Sequence, residues 1–514
     1  MKIKQVKLKN FRGYKSETIV NLEDLTVFVG KNDIGKSTIL EALDIFINEG
    51  KGVVKMDKDD INKTALSEGD STIEISVVFG NLPEAIVIDS TNSSSLQSEY
   101  LLNSNGDLEI LKKFSNAGKE KVFIRALHPT NNECKDLLLK KITELRTILS
   151  NHSIECEDQT RSAVIRNAIW THFNAELNLE EIELDASKGD TKDIWEKLKN
   201  YLPLYSLFQA DRKNSDGDSE VQDPMKLAVK EILSDPQLTE SLNDVAAEVE
   251  RKLHEVASQT LDKLNEMNPE VADSLTPVIP PANSLKWMDV FKNVSITGDN
   301  DIPINKRGSG IKRLILLNFF RAEADRRRAA ENLQDIVYAI EEPETSQHTD
   351  HQRTLINAFI ELSNSENTQI FLTTHSPAIV KSLQFENLKM ITEIDGEKSI
   401  DEVQARLFPY PSLNEVNYNA FKEITEEFHN ELYGYIEGEG HLTQFKNNKP
   451  SMPYIRLHRN GDTSNEDKIL TEYIRHQIHH PENNHNVRFT QNQLEESILL
   501  MRTYIQTELN AVAT

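Results

Sequence analysis

Residues 30–37 read Gly-Lys-Asn-Asp-Ile-Gly-Lys-Ser, between an apolar run, LTVFV, and an amphipathic one, ILEALDIFI. No other stretch restricts the fold as much. The spacing is G-x-x-x-x-G-K-S, and its strand-then-helix setting is the context that gives such a string meaning. Glycines let the backbone wrap an anion, and the following helix turns its N–H groups and positive dipole end toward the same place. The expected phosphate cradle is Gly30, Lys31, Asn32, Asp33, Ile34, Gly35, Lys36, Ser37 and Thr38. In it Lys36 reaches the β and γ phosphates, Ser37 offers its hydroxyl to Mg²⁺, and Thr38 lies next to the α phosphate. ATP with Mg²⁺ is the implied ligand.

A phosphate loop needs a parallel sheet behind it, and the chain supplies strands to build one. DIVYAI is a buried strand ending in Glu341-Glu342, and TQIFLTT is another, leading to His375-Ser376-Pro377; apart from these, STIEISVVFG near residue 75 alternates as a strand. Ligands of such sheets sit at the carboxyl ends of the strands, where both acids and the histidine fall. Glu341 is expected to support Mg²⁺ through water, and Glu342 to polarise the water that attacks the γ phosphate. Arg307-Gly308-Ser309-Gly310-Ile311-Lys312-Arg313 opens a long apolar helix, so its amides can also face an anion.

Length and charge bound the rest. At 514 residues the chain exceeds one ordinary core and is expected to form several domains. A net charge of −25 argues against general adhesion to DNA, whose phosphates need clustered Lys and Arg. Only Cys134 and Cys156 are present, without paired spacing, which supports neither a disulfide framework nor a zinc site and fits a reducing, cytoplasmic setting. No run approaches the roughly 20 apolar residues of a membrane helix.

NFRGY, GKNDIGKST, RGSGIKR, IEEPE and TTHSP, in that order, resemble the RecF, SMC and OLD branch of the ABC ATPases, over roughly residues 1–85 and 300–385. The resemblance implies an α/β, ABC-type P-loop head in which two copies sandwich two ATP molecules. It implies that Ser309 and Gly310 close over the γ phosphate of the opposing subunit, that His375 contacts that phosphate, and that Arg12 lies near the nucleotide. The expected domains are 1–84 and 301–394 for the head, 85–300 for a helical insertion forming an arm or dimerisation element, and 395–514 for a mainly helical C-terminal domain. Thr345-Ser346-Gln347-His348 departs from the HLHP usual in OLD-like members, and Gln209 in LFQADR is a candidate Q-loop residue.

The C-terminal part lacks the Asp-x-Asp pair of a Toprim nuclease. Arg475 to His480, R-x-x-x-x-H, resembles the motif of HEPN ribonucleases, in which an Arg and a His cleave RNA without metal. The whole arrangement resembles the PtuA-type ATPases of Septu and retron-linked anti-phage modules. That likeness implies a homodimer or higher oligomer, an HNH nuclease of the PtuB kind as a separate partner, and retron RNA or DNA as a further one. A ribonuclease in the same chain and a RecF- or SMC-like DNA-repair ATPase are the alternatives.

Overall fold

The computed structural model describes residues 1–84, 86–89, 92–209, 229, 232–233, 235–267, 287, 335–345, 349–394, 396–403 and 407–509. Its strands are β1 (Lys2–Lys9), β2 (Thr18–Asn21), β3 (Leu25–Val29), β4 (Thr72–Gly80), β5 (Ile86–Asp89), β6 (Asn92–Ser94), β7 (Leu108–Ser115), β8 (Lys121–Pro129), β9 (Leu179–Asp185), β10 (Leu204–Phe208), β11 (Ile336–Glu341), β12 (Thr368–Thr374), β13 (Leu388–Ile394), β14 (Glu397–Glu402), β15 (Ser451–Leu457) and β16 (Thr463–Ile469). The helices that bear on function are α1 (Lys36–Ile47), α2 (Ser162–His172), α3 (Gly189–Leu198), α4 (Leu413–Phe421), α5 (Glu426–Gly438), α6 (Leu470–His479) and α7 (Gln491–Tyr504). The chain forms two compact units: Met1–Leu25 with Ser37–Leu372, and Thr26–Lys36 with Thr373–Thr514.

The first unit holds an antiparallel sheet in the order β2-β1-β4-β7-β8-β9. A register shift between Ile3 and Gln5 resets the alternation of β1, so Ile3, Val6 and Leu8 are all buried although Ile3 and Val6 are three residues apart. One face is tied by ion pairs across strands: Lys7 with Glu109, Arg125 with Glu109 and Glu183, and Lys113 with Glu183. The same unit contains β10, β11 and β12 as neighbours in that order. Strands β10 and β11 pair in parallel from Leu204↔Ile336 to Phe208↔Ile340. Burial of Ile336–Ile340 along its whole length suits a central strand covered on both faces. Helix α1 is laced antiparallel to β10: the Tyr205 hydroxyl donates to Leu40 O (2.6 Å), and Asn48 Nδ2 donates to Tyr205 O (3.2 Å).

The stretch 85–300, expected as a helical insertion, contains the six strands β5 to β10 as well as helices. Strands β7 and β8 form a hairpin from which Lys113 reaches Glu183 of β9 and within which Arg125 reaches Glu109, so charges that suggest solvated helix form the polar face of a sheet. Helices α2 and α3 are bound to this region through Arg166. Its fully buried guanidinium holds Glu99 by two hydrogen bonds (2.8 and 3.0 Å) and pairs with Asp190. The segment 2–29 forms three strands, because β2 turns back on β1 before β3 begins.

In the second unit β3 pairs in parallel with β13, and β13 antiparallel with β14. The chain then becomes helical apart from the β15–β16 hairpin. Phe428, Leu432 and Ile436 recur every fourth residue on α5 and pack in one core with Ile474 of α6 and Leu494, Ile498 and Met501 of α7.

Candidate nucleotide site

The phosphate loop takes the backbone its glycines permit. Gly30 has φ +156° and Gly35 φ +100°, and a Cβ on Gly30 would lie 3.0 Å from Ile391 O, so side chains are excluded there by conformation and by space. Lys31, Asn32 and Asp33 are exposed, while Ile34 and Gly35 are partly covered. Lys36 is only 5% exposed, and its ammonium donates to Gly30 O (3.0 Å) and Lys31 O (2.8 Å). Ser37 and Thr38 follow in the first turn of α1. His375 stands directly after β12, half-buried, before the short helix Pro377–Val380. That helix is held from the C-terminal part: Asn417 of α4 donates Nδ2 to Pro377 O (3.3 Å).

The acidic residues lie in the first unit. Because Phe208 and Ile340 are register partners, Gln209 and Glu341 emerge at the same sheet edge. Glu342 follows with φ +41°, a left-handed backbone that a non-glycine residue adopts at a cost of about 1–3 kcal/mol and that clusters at functional sites. The Glu341 carboxyl is pushed up to about 7, by burial first and then by the Glu41 charge, while a hydrogen bond from Gln209 works the other way. Glu341 Oε1 and Gln209 Oε1 are both buried with no hydrogen-bond partner among the described residues. Two buried, uncommitted oxygens beside the Ser37 helix are the ligand chemistry a hard divalent cation takes, so the residues fit Mg²⁺.

Arg12, in a left-handed turn at φ +49°, is clamped in the first unit. Its backbone N–H donates to Asp60 O (2.7 Å), its Nε to Asp60 Oδ1 (2.7 Å), and its Nη1 pairs with Glu41. Glu41, Asp60 and Tyr205 are the neighbours that the motifs did not flag. The helical spacing that puts Glu41 four residues after Ser37, one turn further along the same face of α1, was the available signal. Ser309 and Gly310, with the rest of RGSGIKR, lie outside the described residues, as do Ser346, Gln347 and His348.

In the C-terminal part Arg475 and His480 take different partners. The Arg475 guanidinium carbon lies 4.1 Å from the centre of the Tyr433 ring, and its Nη2 is 3.3 Å from Glu437. His480, just past α6, meets Glu482 at 3.2 Å and stacks near His476. A buried histidine that the motifs did not single out, His429, bonds through Nε2 to Ser497 Oγ (2.9 Å), which donates to Thr471. Burial, with the nearby Arg475 charge, pulls His429 down to about 4.

A strand, a glycine loop, a helix and paired acids at a strand's carboxyl end define a P-loop nucleoside triphosphatase. Residues 1–380 match the AAA_15 family, the AAA ATPase domain, and the chain belongs to that family: it is an ATPase that binds ATP. Among proteins it resembles, an ATP/GTP phosphatase from Helicobacter pylori is 23% identical over 406 residues, covering 74% of this chain and 87% of that one. An uncharacterized protein of Methanocaldococcus jannaschii, MJECL10, is 40% identical over 50 residues, which is 10% of this chain and 23% of that one. Solved structures with weak overall similarity include the SMC head domain from Thermotoga maritima (TM-score 0.33, 13% identity, 79% of this chain and 100% of that one). Another is an Smc head with an extended coiled coil bound to the C-terminal domain of ScpA, derived from Pyrococcus furiosus (TM-score 0.38, 13% identity, 78% and 95%). Among the described residues no helix is long and apolar enough to cross a membrane.

Proposed function

We propose that the chain is an ABC-type ATPase that works as a homodimer with ATP held between two heads, and that its nucleotide state controls a nuclease effector in anti-phage defence. The observation that carries the hydrolytic part is the carboxyl edge of β10 and β11. There Gln209, Glu341 and the strained Glu342 stand together, with an uncommitted oxygen on each of the first two.

In this reading Lys36 and the loop amides of residues 30–37 bind the β and γ phosphates, and Thr38 lies by the α phosphate. Ser37, Gln209 and Glu341 would hold Mg²⁺, which when bound neutralises charge between the phosphates. Glu342 accepts a proton from the attacking water, and His375 senses the γ phosphate. Ser309 and Gly310 complete the site from the second copy. Residues 1–84 and 301–394 form the head, and 395–514 the partner-binding part. The hydrogen bond from Asn417 to Pro377 supports a link between the His375 segment and that part.

Two experiments test this. Lys36→Ala and Glu342→Gln chains are assayed for ATP turnover and, by size-exclusion with ATP, for dimer formation. The first should lose nucleotide binding, the second should accumulate as an ATP-bound dimer, and parental turnover in both would end the site assignment. Purification of the tagged chain from its natural operon should bring down an HNH-type nuclease. A chain that emerges alone and gives no protection against phage sinks the effector reading.

A further inference from the structure

Glu41 belongs to none of the sequence motifs, yet it sits where three of them meet. Its Oε1 accepts from Gln209 Nε2 (3.3 Å), and its Oε2 pairs with Arg12, which in turn holds Asp60. Gln209 also bonds to Glu341. A primary amide has two N–H donors on one end and one carbonyl on the other. With carboxylates at Glu41 and Glu341, only the NH₂ end can face them, and the carbonyl is turned away. That is the arrangement found, since Gln209 Oε1 is buried and makes no hydrogen bond among the described residues. Arg12 supplies the counter-charge that keeps a second carboxylate beside Glu341 tolerable, because like charges in a partly desolvated site repel unless paired.

The geometry is set by the scaffold. Tyr205 and Asn48 lock β10 antiparallel to α1. From Tyr205 to Gln209 the strand advances about 13 Å, and from Asn48 back to Glu41 the helix retreats about 10 Å, so the two ends arrive together.

We propose that Glu41 is a positioning residue for ATP hydrolysis: it fixes the Gln209 amide with its oxygen presented to the metal, and it ties that orientation to Arg12 of the NFRGY turn. The inference rests on the reading of Gln209 and Glu341 as metal-binding residues. It adds a residue that touches neither metal nor nucleotide.

The test uses the full chain, with steady-state ATP turnover measured against Mg²⁺ concentration for Glu41→Gln and Glu41→Asp. In Glu41→Gln the amide is no longer forced into one orientation, so the Mg²⁺ needed for half-maximal rate should rise about tenfold, the usual scale for losing an orienting neighbour. Glu41→Asp keeps the charge but withdraws the acceptor by one methylene. It should raise the Mg²⁺ requirement severalfold.

Parental Mg²⁺ dependence in Glu41→Gln overturns the proposal. If Glu41→Gln does not fold, an Asp variant with an unchanged Mg²⁺ requirement overturns it equally. Glu341→Gln and Lys36→Ala run in parallel separate the two levels. If they are inactive while Glu41→Gln is silent, only the role of Glu41 falls; if they too are parental, the metal-site reading falls with it.

Discussion

The Lys36 ammonium rests on the carbonyl oxygens of Gly30 and Lys31, at 3.0 and 2.8 Å, while only 5% of the residue is exposed. A buried cation seated on the carbonyls of its own loop is held in place, and a phosphate offers it stronger, charge-assisted bonds. Lys36→Arg should therefore bind ATP almost as poorly as Lys36→Ala. The fork of a guanidinium does not match a socket shaped by two carbonyls and closed by Gly30 against Ile391. Isothermal titration with a non-hydrolysable ATP analogue measures this, and near-parental affinity in the arginine variant would contradict it.

Glu342 stores backbone strain at φ +41°. Asparagine tolerates that conformation better than other residues with a Cβ, so Glu342→Asn should melt at or above the parental temperature. Turnover should fall by about 10²–10⁴, the scale of losing a general base. A variant that is both destabilised and active would show that the residue is structural.

Glu341 and His429 should give acid stability of opposite sign. The Glu341 carboxyl is raised to about 7, so its contribution to folding is present in full below its unfolded value and is lost as pH rises through about 7. His429 is pulled down to about 4, so its contribution is present above its unfolded value and is lost as pH falls from about 6.5 toward 4. Urea unfolding across pH 4–8 of Glu341→Gln and His429→Gln should show slopes changed in opposite senses. Mg²⁺ binding should release a proton below pH 7 and weaken by up to about tenfold per unit of acidification, and Glu341→Gln should abolish that dependence.

Arg166 is fully buried between Glu99 and Asp190, far along the chain from the phosphate loop. Removing it strands a buried carboxylate, so Arg166→Ala should cost about 3–5 kcal/mol. The double change Arg166→Met with Glu99→Leu should recover much of that loss, because it removes the charges together. Denaturant melts of the three chains decide this, and additive losses in the double variant would contradict it.

The phosphate loop and the strand before Glu341 were legible because short-range spacing specifies them: glycines at fixed offsets and an apolar run with acids at its end. The neighbours that tune the site were not. Glu41 and Asp60 reach Arg12 from 29 and 48 residues away, and a single sequence carries no trace of which carboxylate will fold onto which guanidinium. The strands of 108–185 were misread for a related reason. Lys113, Arg125 and Glu183 look like a solvated helix until their partners on other strands of the sheet are known. Alternation in LEILKKFS and KVFIRALHP was the available clue, and charge outweighed it.

The bond from Asn417 to the Pro377 carbonyl fastens a C-terminal helix to the segment that begins with His375. Linkage runs both ways through such a joint. If ATP favours one placement of His375 and α4 follows, then whatever macromolecule clasps the C-terminal helices must change ATP affinity by the same factor that ATP changes its own. The chain would then report partner occupancy to its nucleotide site as faithfully as it reports nucleotide to its partner, so that neither ligand can be titrated without moving the binding curve of the other.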